Sequence, residues 1–131
     1  MSFQTMLTAA CFAAALAAVA TAEPGAADYA FEPVQAEIKK GDGVTVAVRL
    51  LHKATNKAVP DAVIIATRID MAPDDMAAMD APLAPITSDE PGVYAFKTDL
   101  LRAGRWRLSI AAKVQGEPET VKGEVIYTAT P

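Results

Sequence analysis

The stretch "GRWRLSIAAKV", residues 104–114, decides the fold class of this chain. Its apolar residues, from Trp106 to Val114, occupy every second position and alternate with mostly polar ones. A period of two is that of a β-strand with one face in a core and the other towards solvent. The stretch therefore predicts a strand that places Trp106 in the core.

The same alternation recurs along most of the chain. Turn-forming clusters such as Lys39–Gly43 and Ser88–Gly92 separate the apolar runs at intervals of roughly ten residues. Short strands at this spacing predict an all-β fold, an immunoglobulin-like antiparallel β-sandwich of about six to seven strands. The predicted core contains Val46, Val48, Ile64, Tyr94, Phe96, Trp106, Leu108, Ile110 and Val125.

The N-terminal residues have the pattern of a signal peptide. The run from Met6 to Ala20 is apolar, uncharged and rich in alanine, and small residues follow it up to Ala22. At about 15 residues it is shorter than the roughly 20 that span a bilayer, so we expect cleavage after Ala22 and no retained membrane anchor. The predicted organisation is a cleaved signal peptide at 1–22, a flexible lead-in at 23–33 and one domain at 34–131.

The signal peptide predicts a periplasmic protein, and the composition limits its partners. Cys11, the only cysteine, falls within the signal peptide, so the mature chain has no disulfide and no thiolate ligand. All 12 basic and 16 acidic residues lie beyond residue 22, which gives the mature chain a net charge of −4. Because no basic stripe is present to neutralise phosphates, we do not expect nucleic acid as a partner.

The sequence contains no pattern typical of an enzyme. His52 is the single histidine, and nothing places it beside Ser88 or Ser109 as a catalytic triad would require. No glycine-rich phosphate loop is present, and the carboxylates are scattered. We therefore expect that the protein is not an enzyme.

A second stretch, "RIDMAPDDMAAMDAP" at residues 68–82, holds Met71, Met76 and Met79. Thioether sulfur binds Cu(I) or Ag(I), and it remains a usable ligand where exported thiols oxidise. A helical turn starting at Pro73 would place the second and third methionines on one face. The three methionines are therefore candidate metal ligands, and packing in the core is the alternative.

His52 is a fourth candidate ligand. If strands at 44–51 and 62–69 form a hairpin, His52 lies at the opposite end from Met71, which counts against it. Calcium is a further alternative because four aspartates surround the methionines, namely Asp70, Asp74, Asp75 and Asp80. They lack the residue order and the terminal glutamate of the EF-hand calcium loop, so a solvated acidic loop explains them better.

Two basic residues, Arg105 and Arg107, flank Trp106 on the opposite face of the predicted strand. This face is either simply solvated or a docking patch for an acidic partner, and the sequence leaves both interpretations open.

Two motifs, Gly92-x-Tyr94 and Ala103-Gly104-Arg105-Trp106, resemble those of the FixH/YtkA-like family of exported bacterial domains. The resemblance extends over about residues 34–127 and is closer to the soluble YtkA-like kind. It implies an immunoglobulin-like sandwich that handles copper or other heavy metals. It also implies a metal-efflux or oxidase-assembly membrane complex as the partner. Many members carry a denser methionine motif than the one found here.

Two functions therefore follow from the sequence. The first is a periplasmic copper or silver chaperone or buffer, with Met71, Met76 and Met79 as ligands and His52 as a further candidate. The second is a metal-free interaction module that docks on a membrane transport or assembly complex through a face of the sandwich, with the methionines as packing.

Overall fold

A computed structural model describes residues 28–131 and contains two β-sheets whose buried side chains form a large and a small hydrophobic cluster. The strands are β1 (Tyr29–Pro33), β2 (Glu37–Lys39), β3 (Gly41–His52), β4 (Lys57–Ala58), β5 (Val63–Met71), β6 (Met76–Ala81), β7 (Leu83–Ile86), β8 (Val93–Leu100), β9 (Gly104–Lys113) and β10 (Val121–Thr130). The predicted signal peptide and residues 23–27 lie outside the described residues. Within residues 28–131 no helix has the length and apolar character needed to cross a membrane.

The first sheet has the strand order β1-β3-β8-β7, and β4 also pairs with β3. The second sheet has the order β2-β10-β9-β5-β6. Neighbouring strands are antiparallel, except that β2 runs parallel to β10. The predicted immunoglobulin-like β-sandwich is thus confirmed. More strands are present than expected, because β2, β4 and β6 are too short or irregular to show an alternating pattern.

Strand β1 corrects part of the predicted flexible lead-in. Residues 29–33 pair antiparallel with Val48–His52 of β3. Phe31 packs against the core and occupies the space above Gly123 of β10, where any larger side chain would collide with the aromatic ring. The sandwich therefore includes residues that precede the predicted boundary at 34.

Most of the predicted core is confirmed, and Ile64 and Tyr94 are half-buried against it. The fully or nearly buried members are Val46, Val48, Phe96, Trp106, Leu108, Ile110 and Val125. Tyr127 of β10 was not predicted, yet its hydroxyl crosses the core and donates a hydrogen bond of 2.6 Å to the Ala47 carbonyl of β3. Burial raises the pKa of the Tyr127 phenol. This hydrogen bond joins the two sheets.

Candidate functional site

The methionine segment forms a turn at one end of the sandwich, and we call residues 70–76 the methionine turn. β5 leads into a 3-10 turn at Ala72–Asp74, and Asp75 has a left-handed φ of 60° before β6 begins at Met76. The helical turn predicted from Pro73 is therefore limited to this 3-10 turn, because the left-handed residue ends the helical geometry. The chain then continues as a strand.

Met71 lies inside the core. Its side chain is 0% exposed and belongs to the same buried cluster as Leu100 and Trp106. Gly104 approaches so closely that a Cβ atom there would lie 2.7 Å from Met71 Cε. A flexible thioether that fills an irregular gap is the ordinary role of methionine in a core, so this position supports the packing alternative.

Met76 is the cross-strand neighbour of Met71. The two residues are paired in the β5–β6 ladder, and Met76 is half-buried against the core. Directly opposite residues of an antiparallel pair have Cβ atoms about 4.5–5.5 Å apart. The Arg102 guanidinium lies beside Met76, with Nη1 3.9 Å from Met76 Sδ. A positive charge beside the sulfur opposes the binding of a cation there.

Met79 lies on the surface, with 38% of its side chain exposed. β6 is paired at Asp80, but its next ladder pair joins Met76 to Met71, which leaves residues 77–79 outside the regular ladder. The predicted ligand set is therefore divided between a buried, a half-buried and an exposed position.

The structure places His52 at the opposite end of the sandwich. β3 starts at Gly41, near the end that holds Met71, and His52 closes this 12-residue strand at the other end. β3 and β5 belong to different sheets, so the predicted hairpin does not form. The His52 ring lies edge-on to Tyr29 with centroids 5.2 Å apart, and its Nδ1 is 3.5 Å from Thr55 Oγ1. His52 is thus not brought to the methionines.

Asp70 fixes the start of the methionine turn. Its carboxylate is 1% exposed, and Oδ1 accepts a hydrogen bond of 3.0 Å from the Ala72 amide. Oδ2 accepts from Arg68 at 3.0 Å and from Arg107 at 3.4 Å. Burial by itself raises the pKa of Asp70, but the Ala72 amide and the two guanidinium groups outweigh it and hold this pKa below its usual value. The carboxylate is therefore charged and structural.

Asp74 fixes the middle of the turn. It accepts hydrogen bonds from the Arg105 amide at 2.7 Å and from Arg105 Nε at 2.9 Å, and both bonds lower the pKa of this carboxyl. Arg105 Nη2 also donates to the Pro73 carbonyl at 2.7 Å. Gly104 allows this approach, because a Cβ atom there would lie 2.5 Å from Asp74 Oδ2. Gly104 and Arg105 are consecutive residues of the second sequence motif, so this motif holds the methionine turn in place.

The same motif also orients Arg102. Trp106 Nε1 donates a hydrogen bond of 3.0 Å to the Arg102 carbonyl, which fixes the backbone that carries this guanidinium. The contact of Arg102 with Met76 and the role of Asp70 were not predicted, since neither residue belongs to a recognisable sequence pattern. An acidic residue directly before a Met-x-Pro turn was the only available signal for Asp70.

The Gly92-x-Tyr94 motif has a structural role as well. Gly92 has a positive φ of 81°, and a Cβ atom there would lie 2.5 Å from Ala58 Cβ. The Tyr94 hydroxyl donates to the Val59 carbonyl at 2.6 Å and accepts from the Ala62 amide at 3.0 Å. The motif therefore fastens β8 to the connection between β4 and β5.

Arg105 and Arg107, the face considered as a docking patch for an acidic partner, already have partners within the chain. Arg105 pairs with Asp74 at 2.9 Å, and Arg107 lies 3.4 Å from Asp70 and 3.9 Å from Glu124. This largely compensates their charge, so the arrangement favours a structural role for both arginines.

The described residues contain no group of three or more His, Cys, Asp or Glu side chains suited to holding a metal ion.

Comparison with known proteins identifies one family and several distantly similar structures, two of which are described here. A family model described as YtkA-like matches residues 23–111. The chain is similar to a structure titled ZirS C-terminal Domain, at 9% identity and a TM-score of 0.45, covering 80% of this chain and 67% of that one. It is also similar to the Lin-41 filamin domain, at 15% identity and a TM-score of 0.43, covering 75% of this chain and 91% of that one. No curated protein matches the sequence.

Proposed function

This chain belongs to the YtkA-like family, and we propose that it is a periplasmic interaction module that docks without bound metal on a membrane transport or assembly complex. Burial of Met71 is the observation that carries the proposal, since this candidate ligand is 0% exposed and packs in the core. The predicted signal peptide supports export, and the resemblance to FixH-like and YtkA-like domains supports a metal-efflux or oxidase-assembly complex as the partner.

The surface supports binding as the activity. Val63 and Ile65 of β5 are 62% and 49% exposed. Adjacent exposed apolar side chains of this size are typical of interaction sites more than of an inert surface.

Binding to membranes tests this proposal. Purified mature protein is titrated onto washed membranes of the organism that produces it, and bound protein is quantified after sedimentation. We expect saturable binding that is lost when the membranes are first treated with trypsin. Binding that never saturates, or that survives the protease, would contradict docking on a protein complex.

Handling of Cu(I) or Ag(I) is the second candidate function. The observation that favours it is the Met71–Met76 cross-strand pair, with the exposed Met79 on the irregular segment beside it. Two adjacent thioethers and an exposed third donor are a recognisable soft-metal arrangement. On this alternative, Met79 would take up the ion and the pair would hold it.

Titration of Cu(I) against a competing chelator tests the second function. If the pair binds the ion, Met76→Leu weakens the affinity of the mature protein relative to wild type. If simultaneous replacement of Met71, Met76 and Met79 by leucine leaves the affinity unchanged, thioether ligation is excluded. Leucine is close to methionine in volume, so the core tolerates the change at a cost below about 1.5 kcal/mol.

A further inference from the structure

The second sheet leaves part of β5 without a neighbour on one side. β6 pairs with β5 only at Ile69–Met71. Within residues 28–131, the backbone of residues 63–67 is paired with β9 and with no strand on the opposite edge. Unpaired N–H and C=O groups along a strand edge are a template on which another extended chain can add as a strand.

This free edge lacks most of the protection that strand edges usually carry. Its sequence is VIIAT, without charge or proline. The neighbouring edge strand β7, in contrast, contains Pro85, which lacks an N–H donor. A register shift between Ile64 and Ala66 is the one irregularity of the free edge, and Val63 and Ile65 on this edge are exposed. Natural proteins protect exposed apolar edges unless the edge has a use.

A groove of about 360 Å³ lies beside the free edge and between the two sheets. Ile64 of β5 lines it on one side, and Pro85 and Phe96 line it on the other. A strand added to β5 would direct every second side chain towards this groove, since side chains alternate across a strand. The groove therefore offers an apolar site for one or two side chains of the added strand.

The rim of the groove is acidic. Asp89 and Glu90 line it, and Asp61 lies at the exposed start of β5 beside Pro60, which also lines it. Glu90 pairs with Arg49 at 3.2 Å. Asp61 and Asp89 make no ion pair among the described residues. A partner segment that carries lysine or arginine next to its apolar residues would complement this charge.

From these observations we propose that the free edge of β5 (residues 63–67) binds an extended apolar peptide segment with flanking basic residues, which adds as a strand to the second sheet. The inference rests on the proposed function and names the partner's chemistry. A second copy of this chain fits less well, because its own edge brings the same acidic rim and a net charge of −4.

A synthetic heptapeptide, KVTVKVT, is the direct probe, and EVTVEVT is its charge-reversed control. Binding to the uniformly labelled mature protein is followed by amide chemical shifts. We expect the lysine peptide to shift the amides of residues 63–67 and to bind at least about tenfold more tightly than the glutamate peptide. Equal binding of the two peptides, no binding of either, or shifts confined to the outer face of β9 and β10 would overturn the proposal.

Two matched variants localise the site. Ile65→Lys places a charge at the free edge, and Ile126→Lys places the same charge at a 44% exposed position of β10. We expect Ile65→Lys to weaken peptide binding by at least about tenfold and Ile126→Lys to leave it within about twofold. Val63→Lys, at a 62% exposed position, repeats the test if Ile65→Lys fails to fold. Equal effects of the edge variants and Ile126→Lys would refute the site.

The same variants distinguish failure of this inference from failure of the proposed function. If wild-type protein docks on membranes and Ile65→Lys docks equally well, the edge is not the docking site, while the proposed function stands. If wild-type protein does not dock, the proposed function itself fails. A dimer in sedimentation equilibrium that Ile65→Lys converts to a monomer would assign the edge to a second copy and overturn the peptide proposal.

Discussion

Asp70 shows how one side chain decides the geometry of the candidate site. Its carboxylate accepts hydrogen bonds from the Ala72 amide and from the Arg68 and Arg107 guanidinium groups, although the side chain is only 1% exposed. A buried carboxylate is tolerated only when it is fully hydrogen-bonded. The methionine turn therefore depends on this charge more than on any methionine.

Replacing Asp70 by asparagine is expected to lower the free energy of unfolding at pH 7 by about 1–3 kcal/mol. Since the folded pKa of Asp70 lies below its ordinary value, the carboxylate stabilises the protein above the unfolded pKa of about 3.9. That stabilisation is lost as the pH falls through the folded pKa. Urea unfolding between pH 3 and pH 7 measures the difference from wild type.

The control for Asp70 is Asp80→Asn, which removes the 57% exposed carboxylate that contacts the same Arg68. An exposed ion pair contributes about 0–1 kcal/mol, so this variant is expected to stay close to wild type. A deficit of Asp70→Asn that is the same at pH 3 as at pH 7 would show that the charge is not responsible.

At the scale of elements, the long strands were predictable and the short ones were not. β3, β8, β9 and β10 show alternation because each has one face in the core. β1, β2 and β4 have little pattern of their own and exist because longer strands pair with them. A helical turn was considered from Pro73, and the structure limits it to the 3-10 turn at Ala72–Asp74 before β6 begins. The contacts that Arg105 makes with this turn were not predictable, because Arg105 is distant in sequence.

The candidate site was predictable only in its location. The methionines could be found from the sequence, but their division between core and surface depends on the pairing of β6 with β5. Gly104 and Arg105 were recognisable as a motif, while their contact with Asp74 depends on how β9 lies against the turn. His52 could be placed away from Met71 by strand direction, although the supposed hairpin was wrong.

Gly104→Ala tests whether the motif and the methionine turn pack as one unit. Gly104 has a φ of 141°, and a Cβ atom would meet Asp74 and Met71. We expect a loss of about 2–4 kcal/mol in unfolding free energy from strain and overpacking. Gly116→Ala is the matched control, since Gly116 also has a positive φ, of 88°, but nothing lies within 4 Å of its Cβ position.

Strain alone is expected to cost the Gly116 control about 1 kcal/mol. If thermal or chemical denaturation gives the same loss for both alanine variants, the close contact of Gly104 with the turn is not energetically important.

At the scale of the whole molecule, Tyr127 joins the two sheets through the core. Tyr127→Phe is expected to lower the unfolding free energy by about 1 kcal/mol, the usual contribution of one hydrogen bond. Burial raises the pKa of this phenol, so the folded state keeps the proton and stability falls as the pH rises above about 10. Denaturation series at neutral and alkaline pH should show a weaker alkaline loss for Tyr127→Phe, and an unchanged loss would contradict the assignment.

The whole sandwich places Met71 in the core at one end and leaves an open strand edge on one side. In the proposed function, docking on the membrane complex does not depend on metal. Membrane binding of two proteins, measured side by side, tests this. One is the mature wild type, and the other carries leucine at Met71, Met76 and Met79. Each is measured with and without a Cu(I) chelator. We predict four binding curves that agree within about twofold; loss of binding in the leucine variant or in the chelator would contradict the account.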